Sequence, residues 1–245
     1  MSAPSVRALL ALQAHTLFEI SPRLRMLRSL DPDQSPPPQF YMSGGEDGWI
    51  AYVREEIDDA QVRAVDEMVR REPPLRGPGA TPRFAEEYRD IFGGAPLTDH
   101  NYGPLHRLPR GMHADCDATI VREGSAEGVA LVERITREGM PRGLFDAGFV
   151  DLSHFWSPWC VAMAGGDIAA IGFCVRDGLM AREIGVYTVD GYRGRGYAAA
   201  VTAAWSTMHP RHPVLFYSTH RDNRASQRVI ARLQLPFLGE TMRIP

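Results

Sequence analysis

From Asp117 onward, short apolar runs alternate with amphipathic stretches, and this alternation is the strongest constraint on the fold. The apolar runs predict strands over 118–122, 159–164, 168–176, 183–189, 214–219 and 237–244. The stretches between them predict helices over 125–137, near 144, over 197–208 and over 223–233. The third and fourth strands follow their predecessors through turns, without a helix between them. This meander predicts a mixed α/β fold and argues against a doubly wound parallel sheet.

The first 112 residues have a different pattern. Apolar spacing predicts helices over 6–20, 58–71 and 84–92, and a hairpin over 40–53. Prolines interrupt these elements, and the stretch 93–113 is predicted to be irregular. We therefore expect two parts: a smaller helix-rich N-terminal domain of unknown role over residues 1–112, and a domain over 113–245 that contains the informative motifs.

Composition limits the class of protein. With 44% hydrophobic residues in 245, the chain can build a buried core. No window approaches the roughly 18 uncharged apolar residues of a membrane-spanning helix, and the N-terminus turns polar too early for a secretory signal. The three cysteines, Cys116, Cys160 and Cys174, cannot form a disulfide framework. These features predict a cytoplasmic protein without a membrane partner.

Charge is distributed unevenly along the chain. The formal net charge of −3 argues against a nucleic-acid partner, because such domains are usually strongly basic. Residues 190–232 nevertheless contain seven arginines against two acidic residues, Asp190 and Asp222. A cationic segment within an acidic protein predicts a small anionic ligand.

The segment from Val189 to Ala200 joins a predicted strand to a predicted helix through a loop with two glycines. Glycines allow close approach of a ligand to the backbone, and the free N–H groups at a helix start bind phosphate. One interpretation takes Gly194, Gly196 and Ala199 as a dinucleotide fingerprint, with Asp222 as the ribose partner. Only 23 residues follow Asp222, too few to complete a nucleotide-binding sheet, so we reject this interpretation.

The same loop also matches R-x-x-G-x-A from Arg193 to Ala198, and the segment D-N-R-A-S from Asp222 places an asparagine at the start of the next helix. These motifs, in this order among the strands and helices, resemble the GNAT superfamily of N-acetyltransferases over residues 113–245. The resemblance implies a GNAT-like acetyltransferase fold with acetyl-CoA as co-substrate. It also implies that the strand before the loop carries a bulge and splays from the following strand, so that the pantetheine arm lies between them.

The resemblance assigns cofactor contacts residue by residue. It places backbone groups of Tyr187, Thr188 and Val189 along the pantetheine arm, and Asn223 with Ser226 further along the cofactor. The pyrophosphate is expected at the loop and the first helical turn, which comprise Arg193, Gly194, Arg195, Gly196, Tyr197, Ala198, Ala199 and Ala200. Arginine suits this task because its fork of donors matches phosphate. Arg228 and Arg232 are interpreted as solvated residues of a helix face.

An amine acceptor must lose a proton before it attacks a thioester, and a carboxylate is a suitable proton acceptor. Glu183, six residues before Val189, falls where several family members carry the base and is the predicted catalytic residue. Many relatives place a tyrosine proton donor seven residues after the helix-starting asparagine, where this chain has Ile230. Tyr187, Tyr197 and Tyr217 are the alternative donors; a reaction without a dedicated acid is the other alternative, because a CoA thiolate is a tolerable leaving group.

Histidines and aromatic residues outside these motifs allow fewer conclusions. The aromatic segment 154–159 either walls an acceptor pocket or fills the gap between the two parts. His209 and His212 form an HxxH, but neighbouring prolines prevent a helix there, so we expect no metal. His220 follows a predicted strand and either faces the acyl group or lies on the surface.

The predicted function is transfer of an acetyl group from acetyl-CoA to a small-molecule or peptide amine, by direct attack in a ternary complex. Two alternatives stay open: a non-catalytic acyl-CoA sensor, which Ile230 permits, and an acyltransferase for longer acyl-CoA. The N-terminal domain is expected to cover the acceptor side of the groove, to mediate a homodimer, or both.

Overall fold

The computed structural model describes residues 4–210 and 214–245. Residues 4–112 form the helices α1 (Val6–Leu17), α2 (Asp59–Arg71) and α3 (Ala85–Phe92), and the strands β1 (Phe18–Ile20), β2 (Arg25–Ser29), β3 (Phe40–Gly45), β4 (Gly48–Arg54) and β5 (Tyr102–Arg107). Helices α1 and α2 begin where they do because the side chains of Ser5 and Asp58 accept hydrogen bonds from N–H groups of the first turn.

The remaining residues alternate strands and helices as predicted. They form β6 (Thr119–Arg122), α4 (Ala126–Glu138), α5 (Arg142–Phe145), β7 (Cys160–Ala164), β8 (Asp167–Asp177), β9 (Ala181–Thr188), α6 (Tyr197–Ser206), β10 (Val214–Ser218), α7 (Arg224–Leu233) and β11 (Phe237–Ile244). Ser125 caps α4 and Asn223 caps α7 through their side-chain oxygens. The prediction of a mixed α/β fold is confirmed.

The strands of the described residues form one sheet, in the order β1-β2-β4-β3-β11-β5-β10-β9-β8-β7-β6. Strand β11 pairs with β3 on one side and β5 on the other, and β5 also pairs with β10. Most neighbours are antiparallel, whereas β9 and β10 are parallel. Because strands from both sides of residue 112 interleave, the predicted division there is a boundary in the sequence and not in the sheet.

Residues 4–112 contain more strand than expected. The stretch 93–113, predicted to be irregular, contains β5 near the middle of the sheet. The helix predicted over 6–20 ends at Leu17, where the chain turns into β1, and β2 was not predicted either. Gly103 and Pro104 interrupt the pattern expected of a strand. Strand β5 is therefore identified by its pairing with β10 and β11 and not by its own sequence.

Helix α6 is the main packing element of the C-terminal half. It is rich in alanine, and these small side chains bring the helix close to β7, β8 and β9. Trp205 is fully buried at its C-terminal end and donates from Nε1 to the carbonyl oxygen of Pro158, at 2.8 Å. This packing fixes the N-terminal end of α6 relative to β9.

Strands β9 and β10 diverge. They pair only where Ala181–Glu183 faces Val214–Phe216. Beyond Glu183, β9 continues to Thr188 without β10 as a neighbour on that edge. This divergence is the splay that the family resemblance implies, and it opens a gap in the sheet.

The implied bulge lies on a different strand. The register between β8 and β9 shifts between Cys174 and Arg176, so that the extra residue, Val175, belongs to β8. Strand β9 itself runs regularly from Ile184 to Thr188 against β8. The bulge was therefore assigned to the wrong strand of the pair.

Because the sheet combines strands from both halves of the chain, it predicts how a fragment of residues 113–245 folds. We expect residues 113–245 expressed alone not to fold cooperatively, because β10 and β11 would lose β5 between them and β11 would also lose β3. Far-UV circular dichroism during heating should show no sigmoidal transition, whereas the full chain should show one. Co-expression with residues 1–112 should restore the transition. A cooperatively unfolding fragment would contradict this prediction.

Candidate active site

A cleft of about 260 Å³ occupies the gap between the splayed strands. One wall is β9 from Glu183 to Val186, and the other is the end of β10 with the residues up to His220. The start of α7 contributes Asn223 and Ser226, and Leu17, Arg176 and Arg243 come from α1, β8 and β11. The structure thus brings three predicted site residues, Glu183, Asn223 and Ser226, into one cavity.

Glu183 is 6% exposed and lies at the point where β9 and β10 part. Its Oε1 accepts a hydrogen bond from Ser218 Oγ at 2.5 Å, and its Oε2 accepts one from Gln13 Nε2 at 3.1 Å. A carboxylate offers about four lone-pair sites, so two such bonds leave acceptor capacity for a substrate proton.

The bond from Gln13 continues into the N-terminal half. Tyr41 Oη donates to Gln13 Oε1 at 2.5 Å, and both residues are fully buried. Burial raises the pKa of Tyr41, so its hydroxyl keeps its proton and acts as the donor. The orientation of Glu183 is therefore set partly by α1 and β3, which no local sequence signal indicated.

His220 lies opposite Glu183 in the cleft wall. Its Nδ1 lies 2.7 Å from the carbonyl oxygen of His100, which can only accept, so Nδ1 carries the proton and Nε2 has a free lone pair. Its ring stacks on that of His100 at 3.8 Å. Burial is the main cause that lowers the pKa of His220, and the nearby Arg243 adds to it. His220 is thus a second candidate proton acceptor, and it belongs to the cleft, not to the open surface.

Of the alternative proton donors, Tyr217 is the only one of the three that lines the cleft. Burial raises its pKa, an effect that a hydrogen bond with Ser226 partly offsets, so the hydroxyl is protonated at neutral pH. Tyr187 instead packs against Phe149, with ring centroids 5.8 Å apart. Tyr197 is buried near the start of α6, and a hydrogen bond with Asp117 is the main cause that raises its pKa.

The glycine loop adopts a geometry that presents backbone N–H groups. Gly194 and Gly196 have φ values of +81° and +88°, a left-handed conformation that glycine tolerates best. Gly196 precedes α6 and offers no side chain to cap its first turn. The Ala200 N–H already bonds to the Gly196 carbonyl oxygen at 3.1 Å. The N–H groups of Tyr197, Ala198 and Ala199 are then the ones a phosphate could take.

The arginines around this loop make contacts that the sequence did not predict. Arg193 pairs with Asp190 at 2.7 Å, and Arg195 lies over the Tyr192 ring at 5.6 Å. Arg232 is exposed, as interpreted above, and its guanidinium also lies against the loop. A Cβ atom at Gly196 would lie 2.5 Å from Arg232 Nη1, and Arg232 Nη2 donates to the carbonyl oxygen of Asp115 at 3.3 Å. Arg232 therefore joins the candidate phosphate site.

On the edge of β9 between the cleft and the loop, some backbone groups already have hydrogen-bond partners within the protein. The Val189 N–H donates to the carbonyl oxygen of Ala169 at 3.0 Å, and the Val189 carbonyl oxygen accepts from the Tyr192 N–H at 2.8 Å. Val189 therefore already has partners for both backbone groups. Tyr187 and Thr188 end the edge that lacks β10, and the Thr188 carbonyl oxygen accepts a long hydrogen bond from Arg193 Nε at 3.5 Å. Asn223 uses its Oδ1 to cap α7, through the Ser226 N–H at 3.1 Å.

The aromatic segment 154–159 lies away from the cleft. Phe155 and Trp159 are buried in a cluster with Phe149 and Leu144, and Trp156 packs edge-on against Phe173. The segment therefore fills a core inside the C-terminal half and neither walls the cleft nor bridges the two halves.

The two histidines of the HxxH sequence do not form a metal site among the described residues. His209 is buried beside Trp205, and His212 lies outside the described residues. Over residues 4–210 and 214–245, no group of three or more His, Cys, Asp or Glu side chains is arranged to hold a metal ion. Over the same residues, every helix is too short or too polar to cross a membrane.

Comparisons with known proteins bear on the fold. No protein-family model matches the sequence, and no curated protein matches it. Among solved structures, a GCN5-related N-acetyltransferase from Kribbella flavida aligns over 100% of this chain and 97% of its own, with 14% identity and a TM-score of 0.48. A tandem GNAT protein from the clavulanic acid biosynthesis pathway aligns over 79% of this chain and 73% of its own, with 14% identity and a TM-score of 0.45.

A GNAT-family protein from Novosphingobium aromaticivorans aligns over 59% of this chain, with 17% identity and a TM-score of 0.39. The aligned region spans 66% of that protein's length. Solved GNAT proteins are among the structures that this chain resembles, in each of these three cases with a TM-score below 0.5.

Proposed function

We propose that the protein is an N-acetyltransferase that transfers an acetyl group from acetyl-CoA to an amine, by direct attack in a ternary complex. The proposal rests on one arrangement. Strand β9 runs from the cleft that contains Glu183 and His220 to the start of α6, where Gly196 leaves the first N–H groups without a side-chain cap. Thr188 lies five positions after Glu183 on β9, a distance of about 17 Å along the strand. A long ligand with a reactive group at one end and phosphates at the other fits this arrangement.

The residues present are compatible with acetyl-CoA. The uncapped first turn of α6, together with Arg232, offers donors to phosphate, and the β9 edge up to Thr188 offers backbone groups to an extended arm. When bound, acetyl-CoA would supply an acetyl group activated as a thioester.

Proton transfer is assigned to side chains of the cleft. Glu183 takes the proton from the acceptor amine, and its bonds from Ser218 and Gln13 hold the carboxylate in place. Tyr217, protonated and inside the cleft, donates its hydroxyl proton to the departing thiolate, in place of the tyrosine that Ile230 replaces; solvent in the cleft then reprotonates Tyr217 and takes the proton from Glu183. The presence of both a base and an acid in one cavity favours an enzyme over an acyl-CoA sensor.

The direct test combines acetyl-CoA with a panel of primary amines and detects free CoA thiol. We expect amine-dependent thiol release, with mass spectrometry identifying the acetylated amine. Omission of the amine gives the background. If acetyl-CoA binds but no amine is acetylated, the sensor alternative is supported; if acetyl-CoA does not bind, the proposal fails.

A further inference from the structure

Arg243 has no carboxylate partner although it lies in the cleft. It belongs to β11 opposite Tyr41 and is half-buried. Among residues 4–210 and 214–245, no Asp or Glu oxygen lies within ion-pair distance of its guanidinium, in contrast to Arg182 and Arg221, which are both paired. A half-buried guanidinium beside a ligand cavity is costly unless an anion reaches it.

Arg176 places a second guanidinium in the same cleft. Its Nη2 lies 3.4 Å from an Asp31 oxygen and its Nη1 donates to the Val175 carbonyl oxygen at 2.7 Å, but its Nε is buried without a partner. Burial lowers the pKa of Arg176; the charges of Glu183 and Asp31 oppose this shift, and the like charge of Arg243 adds to it. Two cations therefore share a small cavity that retains unused donors.

These cations face the groups that would receive the amine proton. The titratable and charged residues that line the cleft are Glu183 from β9, Tyr217 from β10, His220 after it, Arg176 from β8 and Arg243 from β11. A ligand with only an ammonium group would meet one carboxylate, that of Glu183, and two guanidiniums, whose free donors it would leave unused. A ligand that also carries an anion would satisfy them, and the positive surroundings would favour the neutral, reactive form of its amine.

We propose that the acceptor is an amine that also carries an anionic group, a carboxylate or a phosphonate-type group, which Arg243 binds with help from Arg176 while the amine lies near Glu183. This inference rests on the proposed acetyl transfer, whose site it shares. It narrows the acceptor class from any amine to amino acids and related amino-anions.

The test uses matched compounds of equal length. Linear ω-amino acids and α-amino acids are compared with their carboxamides, with simple alkylamines and with aminoalkyl phosphonates. Binding to the CoA-saturated protein is measured by calorimetry, and turnover by thiol release. We expect the anionic compounds to bind roughly 10- to 100-fold more tightly than the amides, as a charge-assisted contact implies. The phosphonate arm shows which anion is preferred.

Variants of Arg243 test whether this residue causes the preference for acids over amides. Arg243→Gln should bring the acid-to-amide affinity ratio close to one, Arg243→Lys should keep most of it, and Arg243→Glu should favour diamines. Arg228→Gln, an exposed arginine of α7, is the matched control and should leave the ratio unchanged. Thermal unfolding confirms that each variant is folded, and Arg243→Lys keeps the test valid if Arg243→Gln does not fold.

The outcomes separate the two proposals. If acids bind in an Arg243-dependent manner but no amine is acetylated, the proposed function fails, and the inference is reduced to an anion-binding role for Arg243 without an acceptor. If amides or alkylamines bind and react as well as the acids, or if Arg243→Gln leaves the ratio unchanged, the proposed function stands and the inference is overturned.

Discussion

Replacement of Glu183 by glutamine is expected to lower kcat by about 100- to 10,000-fold, the usual contribution of a general base. Glutamine has nearly the same shape but cannot accept a proton from an ammonium group, so the loss should fall on the chemical step. The dissociation constant of acetyl-CoA should change little, because the loop before α6 is separate from Glu183. Steady-state kinetics with free-thiol detection and calorimetry measure the two quantities.

Two further variants make this result specific. Glu138→Gln removes an exposed carboxylate of α4 and should leave kcat unchanged. In His220→Asn the acidic limb of the pH–rate profile should persist, whereas in Glu183→Gln it should vanish. His220 has a pKa lowered from 6.5, so it is neutral at neutral pH and would lose acceptor function only as the pH falls through that lowered value. Disappearance of the limb in His220→Asn instead would make His220 the base.

Replacement of Gly196 by valine is expected to weaken CoA binding by at least about 100-fold. The φ of +88° is strained for any residue with a Cβ, and that Cβ would lie 2.5 Å from Arg232 Nη1 and displace it from the loop. At least two charge-assisted hydrogen bonds to phosphate, worth about 1.5–3 kcal/mol each, would be lost. Calorimetric titration with CoA measures the effect.

A substitution at another glycine serves as the control, because it strains the backbone without affecting the loop before α6. Gly93 has φ and ψ values of +63° and +27°, in the same left-handed region as Gly196, and a Cβ there would meet nothing within 4 Å. Gly93→Val should therefore lower the melting temperature about as much as Gly196→Val does and leave CoA affinity unchanged. Equal CoA affinity in both variants would show that the loop before α6 does not bind phosphate.

The sequence predicted the C-terminal half well because its signals are local. Ser125 and Asn223 each cap the helix that begins at the next residue, and the glycines of the loop are needed for its own backbone conformation. Glu183, Asn223 and Ser226 were selected from motif position alone, and the fold gathers them in one cleft.

Other parts of the site depend on contacts between distant residues. Gln13 reaches Glu183 across 170 residues of sequence, and Arg243 lies on a strand whose neighbours, β3 and β5, are far away in the chain. The direction of the Arg232 side chain likewise depends on how α7 lies against α6. Strand β5 escaped prediction because Gly103 and Pro104 suit a strand only where its particular neighbours accept them.

The position of β11 has a consequence for how this chain is made. Strands β3 and β5 emerge from the ribosome early, but β11, which lies between them, follows β5 by about 130 residues. At the usual 5–20 residues per second, the edge of β5 stays unpaired for roughly 7–26 s during synthesis, and the edge of β3 for roughly 10–38 s. Open strand edges are sites of intermolecular pairing. The nascent chain should therefore depend on chaperones until β11 is available, and stalling translation before Phe237 should yield an aggregation-prone product.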